Sequence, residues 1–485
     1  MSFVVGTIII ILYAISSLYI FFSIRKGYVK KALLFIIILG LILRFFVAGD
    51  LYLHEWDERF HAVVAKNIAS HPLKPTLYEN PILDYDYKDW ANNHVWLSKP
   101  PLTFWLVGAS LTIFGNNEVG LRFPSILISV LCVILTFKIG KILFNQRIGL
   151  VAAFLHAIDG TTLELTGGII SADHVDVMFL ICVQLCLLFT ALYVKTSHIK
   201  NLFFIGTVVG CAYLCKWIMS FLLILILLPI FLLKDGFKKT LLNVVIIVIP
   251  FLIVSLPWQL FILYQYPQES IWMFKQMFLP IINESDAHKG GILFYVDWLR
   301  IMFGELIYLP VIWLTYKCIH RYNERVRKIN LWVLLMWIII PIFFLSISQM
   351  KKNTYLMIIS PAIYLLTAFF LYYLYRIRYQ LKINIKITLV IIFLLIALPI
   401  RYSFERIKPL KQRYEYPQWR TQMEQLHLNT KSKKVVLSGE PHYLNAMFYY
   451  DFIAYQLRLT DEQIDKLNNM GYTVYENQNT LYIQK

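Results

Sequence analysis

Apolar runs long enough to cross a bilayer recur along most of the chain, with short polar segments between them. Their spacing predicts spans near residues 4–24, 32–49, 122–143, 148–166, 173–194, 201–216, 217–233, 240–262, 297–317, 329–347, 354–375 and 386–401, about 12 helices in all. Four segments break the pattern. Residues 50–121 and 263–296 are long and mixed, 348–353 is short, and 402–485 alternates short β-rich runs with helix-like ones. The pattern predicts an all-α polytopic membrane domain over 1–401 and a small α/β domain over 402–485.

Charge gives this pattern a direction. Mean hydropathy is +0.60, 58% of residues are hydrophobic, and only 15% are charged, yet the net charge is +17. Nearly half of the 46 lysines and arginines fall in six short segments: RKGYVKK, KIGKILFNQR, KTSHIK, KDGFKK, KCIHRYNERVRK and RIRYQLKINIK. Of the 29 acids, only Asp235 and Glu324 lie there. Basic segments of this kind mark cytoplasmic loops, so the charge needs no nucleic-acid partner. Residues 50–121, 263–296, 348–353 and 402–485 are then expected outside, as are both termini. The first apolar run has no Lys or Arg before it and ends in RKGYVKK, as a retained span does. The six cysteines lie in or beside predicted spans without metal-ligand spacing, so neither structural disulfides nor zinc are expected.

The first external segment carries most of the candidate chemistry. Phe60, Val63, Val64 and Ile68 give DERFHAVVAKNIASH an apolar face, as in a helix lying at the membrane interface. Pro100 and Pro101 can start a second such helix, with Trp90, Trp96 and Trp105 at the headgroup level. The segment opens with HEWDERFH. Asp57 suits a general base with Glu58 as its electrostatic neighbour; equally, Asp57 suits a helix cap and Glu58 its dipole.

Lys99, Lys216, Lys351 and Lys352 all fall at the predicted outer edge. Singly they read as snorkelling lysines; together they can stabilise a phosphate. SADHVDVMF sets Asp173 and Asp176 on one helix face, and Asp176 is deep enough to need a partner or a wet cavity. In NESDAHKGG, His288 with Glu284 or Asp286 is a candidate contact for a metal or acceptor, though one His among loop acids also reads as solvated loop. No Gly-rich loop follows a predicted strand, which argues against a nucleotide substrate.

In order, the Asp57-Glu58 pair, SKPPLTFW, FGNNEVGLRFPS, the acid opening a later span, and KNTYLMIISPA resemble the GT-C membrane glycosyltransferases, in particular the protein O-mannosyltransferase and lipid A aminoarabinose transferase superfamily. The resemblance covers about residues 30–375. It implies transfer of a sugar from a polyprenyl-phosphate donor to a lipid, glycan or protein acceptor outside the cytoplasm, usually with inversion. It implies Asp57 as the base or acceptor-orienting acid, Asp173 as the later acid, Lys99 and Lys216 on donor phosphate, and Lys352 with Tyr355 near the lipid carrier. Relatives often show x-Arg-Tyr after Asp-Glu. Here Arg59-Phe60-His61 follows, so Arg59 and His61 are where sugar or acceptor contacts should differ. Ser98 replaces a frequent Glu before Lys-Pro-Pro, which leaves no metal assigned.

A compact chain with a small external tail favours a bacterial inner membrane with the site facing the periplasm. The rival reading is a polytopic transporter or lipid flippase, which rests on Asp176 and the short spans around Lys216.

Overall fold

The computed structural model describes residues 2–89, 94–171, 173–282, 290–320, 325–378, 384–430, 434–478 and 481–485. Most of the chain is helical. Among the described residues, eight helices are long and apolar enough to cross a membrane, or up to ten if two bent pairs, Gln146–Ala157 with Gly160–Thr166 and Phe294–Phe303 with Glu305–Ile319, are each one span. The apolar stretch Ile199–Asp235 counts as one of the eight. It nevertheless breaks at Trp217, whose φ is 35°. Before the break, Lys216 meets Asp176 near the start of the helix Asp173–Thr196. After it, Asp235 accepts a hydrogen bond from Tyr193 at 2.8 Å, near the other end of that helix. Seventeen residues of helix separate Asp176 from Tyr193, about 26 Å at the usual rise. The stretch therefore runs the length of its neighbour and returns.

Small residues allow the helices to approach. A Cβ added to Gly140, in Glu118–Leu143, would stand 2.7 Å from the Gly149 Cα in Gln146–Ala157. With lipid tails as apolar as leucine, such backbone contact is what favours helix association.

The carboxy-terminal residues form a four-stranded mixed sheet of order β2-β1-β3-β4, with β1 Lys434–Ser438, β2 Ile453–Ala454, β3 Tyr472–Gln478 and β4 Leu481–Gln484. β1 pairs in parallel with β2 and β3, while β4 runs antiparallel to β3. The parallel pairings require crossovers, which the helices Tyr443–Tyr450 and Asp461–Asn469 supply. Thr460 and Gln463 form a reciprocal capping box at the second of these. Ile464 and Leu467 cover Val436 and Val474 on one face; Leu437 on the other joins a core with Tyr443, Ala446 and Met447.

That second core corrects the expectation for the first external segment. Helices do form at Asp57–Ser70 and Leu102–Phe114. The apolar face of Asp57–Ser70 does not lie on the membrane, however. Phe60, Val63, Val64 and Ile68 pack in one cluster with Phe104, Val107 and residues of the carboxy-terminal unit. Lys66 reaches the end of Tyr443–Tyr450, donating to the Met447 carbonyl at 2.5 Å and the Phe448 carbonyl at 3.2 Å. Trp96 is buried against His61 and Phe104 rather than set among headgroups. Trp105 is partly exposed and donates to the Pro72 carbonyl at 2.7 Å. Trp90 lies outside the described residues. The second external segment is also largely helical, through Pro267–Ile282, whose Met273, Phe274 and Met277 pack beside Trp217 and Trp258.

Candidate active site

The helix Asp57–Ser70 begins without a side-chain cap. Its N-cap is Trp56, with φ 68° and ψ −124°, so Asp57 is the first helical residue and not the cap the sequence suggested. Its carboxylate lies 3.7 Å from the Lys352 ammonium. The Lys352 amide in turn donates to the Tyr295 hydroxyl at 3.0 Å, which fixes the extended turn leading into Asn353–Ile359.

Around this pair the structure gathers residues from five separate parts of the chain. Lys216 pairs with the buried Asp176, and its ammonium stands 4.4 Å above the Tyr355 ring. Lys99, set just before Pro100, feels Asp57, Lys216, Lys352 and Asp176 together. Burial lowers the pKa of its ammonium; Asp57 opposes this, while Lys216 and Lys352 add to it. Among the described residues, no hydrogen bond or ion pair holds Lys99. Three ammoniums, Lys99, Lys216 and Lys352, set against two carboxylates, Asp57 and Asp176, make a site short of anionic charge.

Asp173 and Asp176, on one face by sequence, serve different partners. Asp173 takes the His61 Nδ1 between its oxygens, at 2.8 and 2.9 Å, and so fixes the imidazole. Arg59 points elsewhere, half-buried towards Tyr443 of the carboxy-terminal unit. His288, with Glu284 and Asp286, lies outside the described residues. Among those described, no cluster of three or more His, Cys, Asp or Glu side chains is arranged to hold a metal ion.

Two predicted site residues stand apart. Glu58 turns inward, away from its neighbour Asp57, and is 1% exposed. Its carboxylate accepts from Arg122 Nε at 2.8 Å and from the His54 amide at 2.5 Å, leaving little capacity for substrate. Lys351 caps a helix instead of reaching phosphate, donating to the Ser346 carbonyl at 2.5 Å and also to that of Ser348.

The Glu58 network includes residues that the sequence reading missed. Arg122 also donates to the carbonyls of Ala48, Asp50 and Tyr52. His54 bridges Glu58 at 2.9 Å and Asp50 at 3.1 Å, and Arg413 holds Asp50 at 2.9 Å. An arginine in the first turn of a membrane span was a usable signal for Arg122. Arg413 carried none. Gly168 completes the fit, since its φ is +71° and a Cβ there would stand 2.1 Å from Glu58 Oε1. Among the described residues, three of the six positive-φ residues other than glycine, Trp56, Asp173 and Trp217, are in or beside site residues. Each such conformation costs about 1–3 kcal/mol and persists only where its surroundings enforce it.

The network sets a pH window. Burial alone would raise the Glu58 carboxyl, but Arg122 and then His54 hold it well below the usual range. Burial likewise opposes the charging of His54, yet Glu58 and Asp50 raise its pKa above the ordinary value. The Glu58 contribution is complete above the unfolded value of about 4.3 and fades as the pH falls towards its depressed folded value. The His54 contribution is complete below about 6.5 and fades as the pH rises through its raised folded value. Thermal unfolding in detergent should therefore be latest between about pH 4.5 and 6.5. His54→Gln should flatten the alkaline limb selectively; an unchanged limb would remove His54 as its cause.

Fold and site together define a polytopic, mostly helical membrane protein that shares the fold of ArnT and carries a cluster of lysines and acids at one end of its helices. Residues 98–258 match the model of the dolichyl-phosphate-mannose-protein mannosyltransferase family. Among curated proteins, the chain is 25% identical over 279 residues to the undecaprenyl phosphate-α-4-amino-4-deoxy-L-arabinose arabinosyl transferase of Yersinia enterocolitica, covering 56% of this chain and 49% of that one. It is 27% identical over 280 residues to a Pseudomonas fluorescens protein of the same description, with the same shares covered. The match thus spans about half the length of these curated relatives. Among solved structures, ArnT from Cupriavidus metallidurans bound to undecaprenyl phosphate superposes with a TM-score of 0.68 at 13% identity, covering 94% of each chain. The archaeal oligosaccharyltransferase AglB from Archaeoglobus fulgidus does so with a TM-score of 0.62 at 11% identity, covering 92% of this chain and 69% of that one.

Proposed function

We propose that the protein is a membrane glycosyltransferase that takes a sugar from a polyprenyl-phosphate donor and passes it to an acceptor on the non-cytoplasmic face. The observation that carries this reading is the cluster of Lys99, Lys216 and Lys352, three ammoniums set against only the two carboxylates of Asp57 and Asp176, with no hydrogen bond or ion pair to Lys99 among the described residues. The relatives whose names specify an undecaprenyl-phosphate sugar support it. In the proposed step an acceptor oxygen bonds to the anomeric carbon as the carbon–oxygen bond to phosphate breaks. The acceptor proton passes to Asp57, and the electron pair leaves with the polyprenyl phosphate, whose charge the lysines stabilise. Asp173 orients His61 beside the same pocket.

The proposed topology has twelve crossings. It separates the two halves of Ile199–Asp235, adds Val29–Val47 and takes each bent pair as one span. The setting is a bacterial inner membrane with the mouth facing the periplasm. Asp176, which supported the transport reading, is engaged by Lys216 and lends that reading less weight.

Lipid mass spectrometry of membranes from cells lacking the protein tests the reading. A polyprenyl-phosphate sugar should accumulate and disappear on complementation; an unchanged lipid profile would overturn the assignment. Lys99→Ala should weaken retention of polyprenyl phosphate by about tenfold or more, the loss of one charge-assisted contact. Lys351→Ala should leave retention near wild type, and equal losses would return Lys351 to the phosphate site.

A further inference from the structure

A cavity of about 200 Å³ opens beside Asp57, and the proposed chemistry gives it no role. One wall is Trp56, exposed over 67% of its surface and held at φ 68°. Ile170 and Met302 extend that apolar wall. Thr161 and Thr354, 3% and 5% exposed, line the same cavity, and their hydroxyls find no hydrogen-bond partner among the described residues. Asn353 adds an amide; its carbonyl oxygen already accepts from the Thr354 amide at 2.9 Å. Arg406 also lines the cavity, packed over Gly160 and paired with Glu164.

Each feature lacks a structural reason taken alone. A large indole that could pack is left in solvent, in a backbone conformation that costs about 1–3 kcal/mol. Buried hydroxyls without partners cost about 1–3 kcal/mol each unless something fills the space between them. An aromatic ring lining one cavity with unpartnered hydroxyls and an amide matches the chemistry of a pyranose or furanose ring. Such a ring is apolar on one face and bears hydroxyls around its edge.

We infer that this cavity is a subsite for a hydroxyl-bearing sugar ring, and that the ring belongs to the acceptor. The inference rests on the proposed glycosyl transfer. Its second half follows from placement. Lys99 and Lys216 come from the Lys-Pro-Pro segment and the end of Ile199–Lys216. The cavity is built instead by Gly160–Thr166, Phe294–Phe303, Asn353–Ile359 and Ile385–Ile407. The two groups of elements meet at Trp56-Asp57 and at Lys352-Asn353. With the donor phosphate assigned to Lys99 and Lys216 on other elements, we assign a ring in this cavity to the nucleophile's side of Asp57. The acceptor is then a glycan or glycolipid headgroup, not a peptide hydroxyl or a bare phosphate.

Saturation-transfer NMR on the full-length protein in nanodiscs tests this. The probes are methyl glycosides of a neutral hexose and of an N-acetylhexosamine, with glycerol and a serine-containing peptide as controls. At least one glycoside should bind in preference to both controls. Thr161→Val with Thr354→Val should weaken it by about tenfold, two neutral hydrogen bonds' worth, and Trp56→Leu should weaken it similarly. Polyprenyl phosphate retention, read by native mass spectrometry, should be unchanged in these variants, which also reports that they fold. Failure of every glycoside to bind, or equal binding by wild type and variants, overturns the subsite. Displacement of the glycoside by a polyprenyl-phosphate sugar but not by polyprenyl phosphate would make the ring the donor's and overturn the acceptor assignment. Loss of polyprenyl phosphate retention in the wild type, with glycoside binding intact, would instead count against the donor reading alone.

Discussion

Asp57→Asn should abolish sugar transfer while the protein still inserts, folds and retains polyprenyl phosphate. The change keeps the shape of the side chain and removes its charge and its basicity. A positioned base contributes about 10²–10⁴-fold to such a step, and a loss in that range is expected in turnover. The fold should tolerate the change, because Asp57 begins its helix without capping it and its ion pair with Lys352 is long at 3.7 Å. The measurement is turnover of a polyprenyl-phosphate sugar by purified protein, paired with a thermal melt. Wild-type turnover in the mutant would remove Asp57 from the mechanism. A large drop in melting temperature would instead make it a structural acid.

Arg122→Met should do the reverse, damaging the fold before the chemistry. The side chain is 1% exposed and satisfies Glu58 together with three carbonyls from the turn before Asp57. Methionine fills part of the volume but leaves the Glu58 carboxylate buried with only the imidazoles of His54 and His174 beside it. Breaking a buried pair in this way costs about 3–5 kcal/mol, enough to unfold a marginal protein. Adding Glu58→Gln should recover much of the loss, since the uncompensated charge goes with it. Equal instability of the double and single mutants would show that the carbonyl contacts, not the ion pair, carry the effect. Any surviving Arg122→Met protein should turn over slowly, because the turn that aims Asp57 is released.

The contrast between these two acids shows what the sequence could and could not resolve. Asp57 and Glu58 are adjacent, equally acidic and equally plausible as catalysts. Consecutive positions on a helix point about 100° apart, so one faces the mouth and the other the interior. Which is which depends on where the helix sits, and the carboxy-terminal unit helps to decide that. Phe60, Val63 and Val64 pack in one core with Tyr443 and Met447, and Lys66 reaches the end of Tyr443–Tyr450. The same ambiguity separates Lys351 from Lys352. One turns back to the carbonyls ending Arg325–Ile347, while the other extends towards Asp57.

The sequence by itself determined that this is a polytopic membrane protein, and that acids and lysines collect in the segments between its apolar runs. Those conclusions rest on local quantities: twenty-residue runs of apolar side chains, the bias of positive charge, and the order of short motifs along the chain. The tertiary structure decided which charges meet. Lys99, Asp176, Lys216 and Lys352 are separated by up to two hundred and fifty residues and belong to one mouth because helix packing brings their ends to one level. It also decided that Arg413, near the start of the carboxy-terminal tail, reaches across to Asp50 and the Glu58 network. A buried charge has to find its partner wherever the fold places one, and no pattern in the neighbouring residues announces that partner in advance.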